Sequence, residues 1–159
     1  VNKDDYESII NLQGDMPLIN PIDIQSVTLP LKKGYNIGTI ATSISKEEAK
    51  NENITKVSID WEKPNVVGNS IDFYKSYKAK LTNIYQHVGI YSFKPLALKK
   101  FVSLPPSKNE INRKLEQLRA LDAGISIGIT FVENVPISVD TKEDLIIIEN
   151  IIMRNNGSI

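Results

Sequence analysis

Segments that read as β-strands alternate with segments that read as helices along all 159 residues, and no long uniform stretch interrupts them. Ser8 to Gln13 is short, mostly apolar and stopped by Gly14, which predicts a buried strand ending in a turn. Pro21 opens a short helix, at a position that needs no backbone N–H. Ile37 to Ile44, rich in Ile and Thr, predicts a second strand, and Lys46 to Lys50 a brief helical turn. Ile54 to Trp61 alternates apolar and polar residues as a half-exposed strand does; Ser70 to Tyr74 pairs with it across a turn from Lys63 to Asn69. Tyr77 to Thr82 is polar and basic and predicts a loop. His87 to Phe93 is a further strand, and Pro95 starts a helix that ends near Val102 before Pro105 and Pro106 break the chain.

Ser107 to Asp122 carries the clearest helix signal. Ser107 and Glu110 have capping-box spacing, Ile111, Leu115, Leu118 and Leu121 fall on one face, and Gly124 is placed to end the helix. Ile127 to Val132 is a short strand. A last helix runs from Thr141 to about Arg154, capped by Thr141 or Asp140, with Asp144 where the helix dipole favours negative charge. Strands interleaved with helices in this way predict an α/β fold, and the length suits a single domain over 1–159. A chain of this size buries roughly 70% of its unfolded surface.

Charge narrows the function. Nineteen Lys and Arg balance nineteen Asp and Glu, so no long-range field draws in nucleic acid or an anionic membrane, and no basic stripe interleaved with aromatic residues supplies one locally. The longest apolar cluster, Leu145 to Ile148, falls far short of the roughly 20 residues a membrane helix needs. There is no Cys, hence no disulfide framework and no thiolate metal site, which fits a reducing compartment such as the cytoplasm. There is also no P-loop and no glycine-rich dinucleotide fingerprint.

Two acidic positions stand where an α/β fold binds ligands. Gln13-Gly14-Asp15 presents a carboxylate just past the end of a strand, where open α/β sheets form their crevice. Asp140 lies where an extended segment meets a helix start. Carboxylates so placed can hold Mg²⁺, which takes one or two protein oxygens and completes its shell with water and phosphate. Taken singly, each has a commoner use, Asp15 in a Gly-Asp turn and Asp140 as a helix cap. His87 is the only histidine, so neither a triad nor a histidine metal cluster can be assembled around it. Glu116 and Gln117 flank the apolar face of the capped helix and are ordinary helix formers on their own.

Together the segments are more specific. Asn11-Leu12-Gln13-Gly14-Asp15-Met16-Pro17-Leu18-Ile19 resembles the NxQGDEPxI motif of the 3-deoxy-manno-octulosonate (KDO) cytidylyltransferases, and His87-Val88-Gly89-Ile90-Tyr91 resembles their HxGIY strand. Leu104-Pro105-Pro106-Ser107 followed by Leu115-Glu116-Gln117-Leu118-Arg119 resembles their PPS…LEQLR helix, and Val139-Asp140-Thr141-Lys142-Glu143-Asp144-Leu145 their closing VDTPEDL. The four motifs come in the family's order and reach across nearly the whole chain.

The resemblance implies a Rossmann-like, glycosyltransferase-A-like nucleotide-diphospho-sugar transferase fold. Its mixed sheet would be flanked by helices and incomplete at the N-terminus, because nothing before Asn11 resembles the family's phosphate-gripping loop. It implies a cytoplasmic homodimer that joins CTP and KDO into CMP-KDO and pyrophosphate for lipopolysaccharide synthesis. Asp15 and Asp140 match the family's Mg²⁺-binding, catalytic carboxylates, and Gln13, His87, Tyr91, Glu116 and Gln117 match positions that line the sugar-acid pocket. Lys75 stands where the family has Arg, which keeps the charge and loses the bidentate fork. Met16 replaces a Glu, and the proline-rich stretch expected near Ser76 to Thr82 is not recognisable. KDO is itself an acid, so a cation is expected beside it. Two other roles fit the same motifs: a non-catalytic sugar-binding or dimerisation module of this family, and an activator like the CMP-sialic acid synthetases. The LEQLR and HxGIY segments favour KDO over sialic acid.

Overall fold

The computed structural model describes residues 6–61, 66–77, 83–133, 137–139 and 141–156. Six strands form one mixed sheet: β1 (Ile9–Asn11), β2 (Ile37–Ser43), β3 (Lys56–Trp61), β4 (Val67–Tyr74), β5 (Ile84–Phe93) and β6 (Ile127–Phe131), in the spatial order β1-β5-β2-β6-β4-β3. Only β2 and β6 run parallel; every other pairing is antiparallel. β3 also pairs with the first residues of β5, Ser58 opposite Ile84 and Lys56 opposite Gln86, so β5, β2, β6, β4 and β3 close into a ring.

Two apolar clusters cover the two faces of this sheet. The larger gathers Ile37, Val57, Ile59, Phe73, Ile127 and Ile129 from the strands with Leu115, Leu118 and Ala120 from the helical segment after Ser107. The smaller joins Met16, Val27, Ile40, Val88, Ile90 and Val132. Burial on both faces explains why β2 reads as a nearly continuous apolar run rather than an alternating one. Met16, which replaces an acidic residue of the family motif, is 7% exposed and fills part of this second core.

Two short helices, α1 (Pro21–Ser26) and α2 (Leu29–Lys32), lie close on β2 and β6. Asn20 caps α1 by accepting the Ile22 amide at 2.9 Å, and Pro21 takes the first helical position. Pro30 of α2 is buried against Gly38 and Gly128, which face each other across the parallel pair. A Cβ on Gly38 would come within 2.2 Å of the Val27 carbonyl, so the helix–sheet spacing requires glycine there.

Beyond β5 come α3 (Pro95–Ser103), α4 (Lys108–Arg113), α5 (Gln117–Asp122) and, last, α6 (Lys142–Asn156). Several expectations need correction. The buried strand expected over Ser8 to Gln13 is the three-residue β1, an edge strand paired with β5 alone, which leaves Ile10 39% and Leu12 45% exposed. The single helix predicted from Ser107 to Asp122 is two helices, broken at Lys114 in the left-handed conformation (φ 54°, ψ 49°). The break takes Ile111 off the apolar face, leaving it 63% exposed while Leu115 and Leu118 are buried. β3 is buried through Ile59 rather than half-exposed: Val57 and Ile59 enter the larger core, while Lys56 donates to the Asn51 and Ile54 carbonyls and Ser58 bonds the Tyr74 hydroxyl. β4 begins at Val67, inside the segment expected to be a turn, and residues 62–65 of that turn lie outside the described residues, as do residues 78–82 of the expected loop. The capping box at Ser107 forms as predicted, and Thr141 caps α6 through a reciprocal pair with Asp144, Oγ1 accepting the Asp144 amide at 3.2 Å.

Candidate functional site

A cavity of about 350 Å³ opens where the ends of β1 and β5 meet the α4–α5 junction. Pockets that hold small ligands run from roughly 300 to 1,000 Å³. Its floor is the margin of the larger core: Ile37, Phe93, Leu115, Ala120 and Ile127. Its rim is polar. Gln13 and Asp15 come from the segment after β1, Tyr91 from β5, and Glu116 and Gln117 from the start of α5. Five residues from three separate motifs of the sequence thus converge on one concavity.

Each is delivered by a local device. Asn11 ends β1 opposite Tyr91, so the strand runs directly to the cavity, and the Gln13 amide donates to the Asn11 carbonyl oxygen Oδ1 at 3.2 Å. The Asp15 carboxylate is exposed and makes no hydrogen bond or ion pair among the described residues. Its backbone carbonyl accepts the Val139 amide at 2.8 Å, which ties the residue preceding Asp140 to Asp15. Asp140 itself lies outside the described residues.

The α4–α5 break presents Glu116 and Gln117. Glu110 is buried, and its carboxylate accepts the Ser107 amide at 3.0 Å and the Arg119 Nε at 2.8 Å. Arg119 in turn stacks over the Phe101 ring, 5.0 Å from its centre. This clamp holds the two helices at the angle that turns Gln117 inward, 9% exposed, and leaves the Glu116 carboxylate at the rim.

His87 sits behind the cavity rather than on its wall. It is buried, edge-on to Phe73 at 5.0 Å and against Tyr91 at 5.4 Å. Its Nε2 lies 3.0 Å from Thr39 Oγ1, and Thr39 donates its own hydroxyl to the Ile90 carbonyl at 2.8 Å. With the Thr39 proton so used, Nε2 carries the imidazole hydrogen and donates it. Burial pushes the His87 pKa down to about 3, so the ring is neutral. Burial, then the nearby Glu116 carboxylate, raises the Tyr91 pKa, so its phenol stays protonated.

Lys75 is exposed and away from the cavity; its backbone carbonyl accepts the ammonium of the buried Lys56, which also donates to the carbonyls of Asn51 and Ile54 at 2.8 Å each. The cation at the cavity is Lys114, the left-handed residue of the helix break, which has no ion pair among the described residues. Sequence reasoning missed it because nothing about a lysine in a helical pattern announces a break.

As a metal site the donor set is partial. Among the described residues no three His, Asp or Glu side chains group around one point. A single free carboxylate, that of Asp15, can serve Mg²⁺ when water and phosphate oxygens complete its shell.

Comparison with known proteins agrees with the arrangement. A family model described as cytidylyltransferase matches residues 1–127. The chain is 41% identical over 146 residues to the 3-deoxy-manno-octulosonate cytidylyltransferase of Rickettsia rickettsii (strain Sheila Smith), covering 91% of this chain and 58% of the relative. It is 37% identical over 143 residues to the enzyme of that name from Paramagnetospirillum magneticum (strain ATCC 700264 / AMB-1), covering 88% and 58%. The chain therefore spans somewhat over half the length of the curated relatives it matches. Among solved structures, a CMP:2-keto-3-deoxy-manno-octonic acid synthetase complexed with CTP superposes with a TM-score of 0.84 at 28% identity, over 96% of this chain and 64% of that one. A UDP-glucose pyrophosphorylase, at 15% identity and a TM-score of 0.65, shares the fold alone. The architecture is thus the Rossmann-like α/β fold of nucleotidyltransferases, and by motif, fold and family match this chain belongs to the cytidylyltransferase family.

Proposed function

We propose that this chain carries the sugar-acid and metal side of a KDO cytidylyltransferase, which converts CTP and KDO into CMP-KDO and pyrophosphate and so activates KDO for lipopolysaccharide synthesis. The observation that carries the reading is the convergence of Gln13, Asp15, Tyr91, Glu116 and Gln117 on one cavity. Relatives named for this activity, and a CTP complex of a similar fold, support it.

The chemistry of the rim suits a hydroxyl-rich acid. The side-chain amides of Gln13 and Gln117 each both donate and accept, the Tyr91 phenol is protonated and can donate, and Glu116 accepts from hydroxyls. Lys114 offers the positive charge that a sugar carboxylate needs, the part first expected of Lys75. In the reaction the anomeric hydroxyl of KDO attacks the α-phosphorus of CTP and gives its proton to water; a new P–O bond forms, the bond to the bridging oxygen breaks, and pyrophosphate leaves. These side chains contribute by fixing that hydroxyl in line, and positioning of this kind is worth several kcal/mol of barrier. Asp15 and Asp140 would hold Mg²⁺, which supplies neutralisation of the triphosphate charge. His87 acts on the pocket through Thr39 and Tyr91, not by touching sugar. A homodimer in the cytoplasm, where CTP is made, completes this reading.

The test is pyrophosphate release from CTP, KDO and Mg²⁺ by this chain completed with the stretch of the Rickettsia rickettsii relative that it does not span. Asp15→Asn and Asp140→Asn should each lower turnover at least a hundredfold, as loss of charge-stabilising groups does. Normal turnover in either variant refutes the metal assignment.

A further inference from the structure

Glycines are kept in a fold where another residue would clash or where the backbone is left-handed, and most glycines described here are accounted for in one of those ways. Gly34 and Gly124 have positive φ, at 102° and 68°. At Gly38, Gly68 and Gly128 an added Cβ would come within 2.8 Å of neighbouring atoms. Gly14, in the turn after β1, has neither reason, and nor does Gly89, which unlike Gly14 lies in a strand. Its φ is outside the left-handed region, and a Cβ built on it meets nothing within 4 Å.

Gly89 nevertheless lies in a strand, where glycine costs stability for want of a packing side chain. It sits in the irregular stretch of β5, where pairing with β2 jumps from Tyr91 opposite Thr39 to Val88 opposite Ile40. That stretch is held from outside the glycine: the Thr39 hydroxyl lies 3.2 Å from the Val88 carbonyl and 2.8 Å from that of Ile90, one on each side of Gly89. Backbone freedom at Gly89 is therefore not what shapes the bulge. Gly89 lines the cavity beside Tyr91, and a Cβ on it would stand in open space.

We propose that Gly89 sets the size limit of the ligand: the body of the sugar acid lies against the bare backbone of residue 89, and any side chain there takes its place. The inference rests on the cavity being the sugar-acid site. A protein that needed only a well-packed strand would gain from alanine or a β-branched residue at this position, so the vacancy is explained by what enters it.

The experiment compares this chain with Gly89→Ala and Gly89→Val, by thermal melting and by calorimetric titration with KDO and with a six-carbon 3-deoxy-2-oxo sugar acid. Both variants should melt at or above the temperature of the parent. KDO affinity should fall at least tenfold in Gly89→Ala and further in Gly89→Val, and the shorter acid should lose less in each. Undiminished KDO binding by Gly89→Val, or equal losses for the two acids, overturns the size limit. Loss of cooperative melting in Gly89→Ala overturns it as well, by revealing that the side chain strikes the protein rather than the ligand space. If the unsubstituted chain binds neither acid, the sugar-acid reading of the cavity falls first, and the limit falls with it.

Discussion

At the scale of single residues, His87 shows how a side chain can serve a site from behind it. The neutral ring donates to Thr39, and Thr39 fixes the carbonyls that frame the cavity wall. Protonating this ring means charging a group with almost no water around it. Its pKa of about 3 lies below the usual histidine value of 6.5, so the unfolded chain binds the proton first as pH falls. The stabilisation is complete above pH 6.5 and is lost progressively toward pH 3, at about 1.4 kcal/mol per pH unit. His87→Gln keeps a neutral donor and removes the titration. The stability gap between the parent and this variant, from urea midpoints, should therefore shrink by roughly 2 kcal/mol between pH 6.5 and pH 5. Tyr91, the titratable neighbour whose ring touches His87, stays neutral across this range. A gap independent of pH would show that the imidazole is hydrated.

At the scale of elements, the decisive feature is the break between α4 and α5. A side chain in the left-handed region is strained by its own Cβ, by about 1–2 kcal/mol. Lys114 is held there by the amide it donates to Glu110 at 2.7 Å and by the Glu110–Arg119 clamp across the bend. Lys114→Gly should relieve the strain and raise stability by about 1 kcal/mol in chemical denaturation, after allowing for the greater freedom of glycine in the unfolded chain. The same substitution removes the ammonium from the cavity, so it should weaken binding of a carboxylate ligand while strengthening the fold. A destabilised Lys114→Gly would mean that the lysine side chain, not the backbone, holds the bend.

For the whole molecule, stability is concentrated in the ring of five strands, each paired on both sides, with β2 and β6 the most completely buried. β1 has only three residues and one partner, β5. α6 buries Ile148 alone among its described residues and leaves Leu145, Ile146 and Met153 exposed at 45%, 57% and 68%. Elements with so little buried surface open locally at low cost. Hydrogen exchange followed by mass spectrometry should find β2 and β6 the slowest to exchange, with β1 and α6 at least tenfold faster. Because β1 leads to Asp15, its local opening loosens the cavity first. Uniform protection across all six strands would contradict this ranking.

Much of this was written in the sequence because it rests on local chemistry. The Pro21 helix, the Ser107–Glu110 capping box and the Gly124 stop each depend on residues within a few positions of one another. The motifs around Gln13, Tyr91 and Glu116 could be recognised in the linear chain, and their roles followed from resemblance. What only the tertiary structure decided depends on distant partners. The ring closure of β3 on β5, the helix break at Lys114 and the withdrawal of His87 behind Thr39 all come from contacts nine to forty-eight residues apart. A helical pattern does not reveal such pairs even where, as with Glu110 and Arg119, one segment holds both members, and it is their packing energy, not local propensity, that fixes where Lys114 and Gly89 stand relative to the cavity.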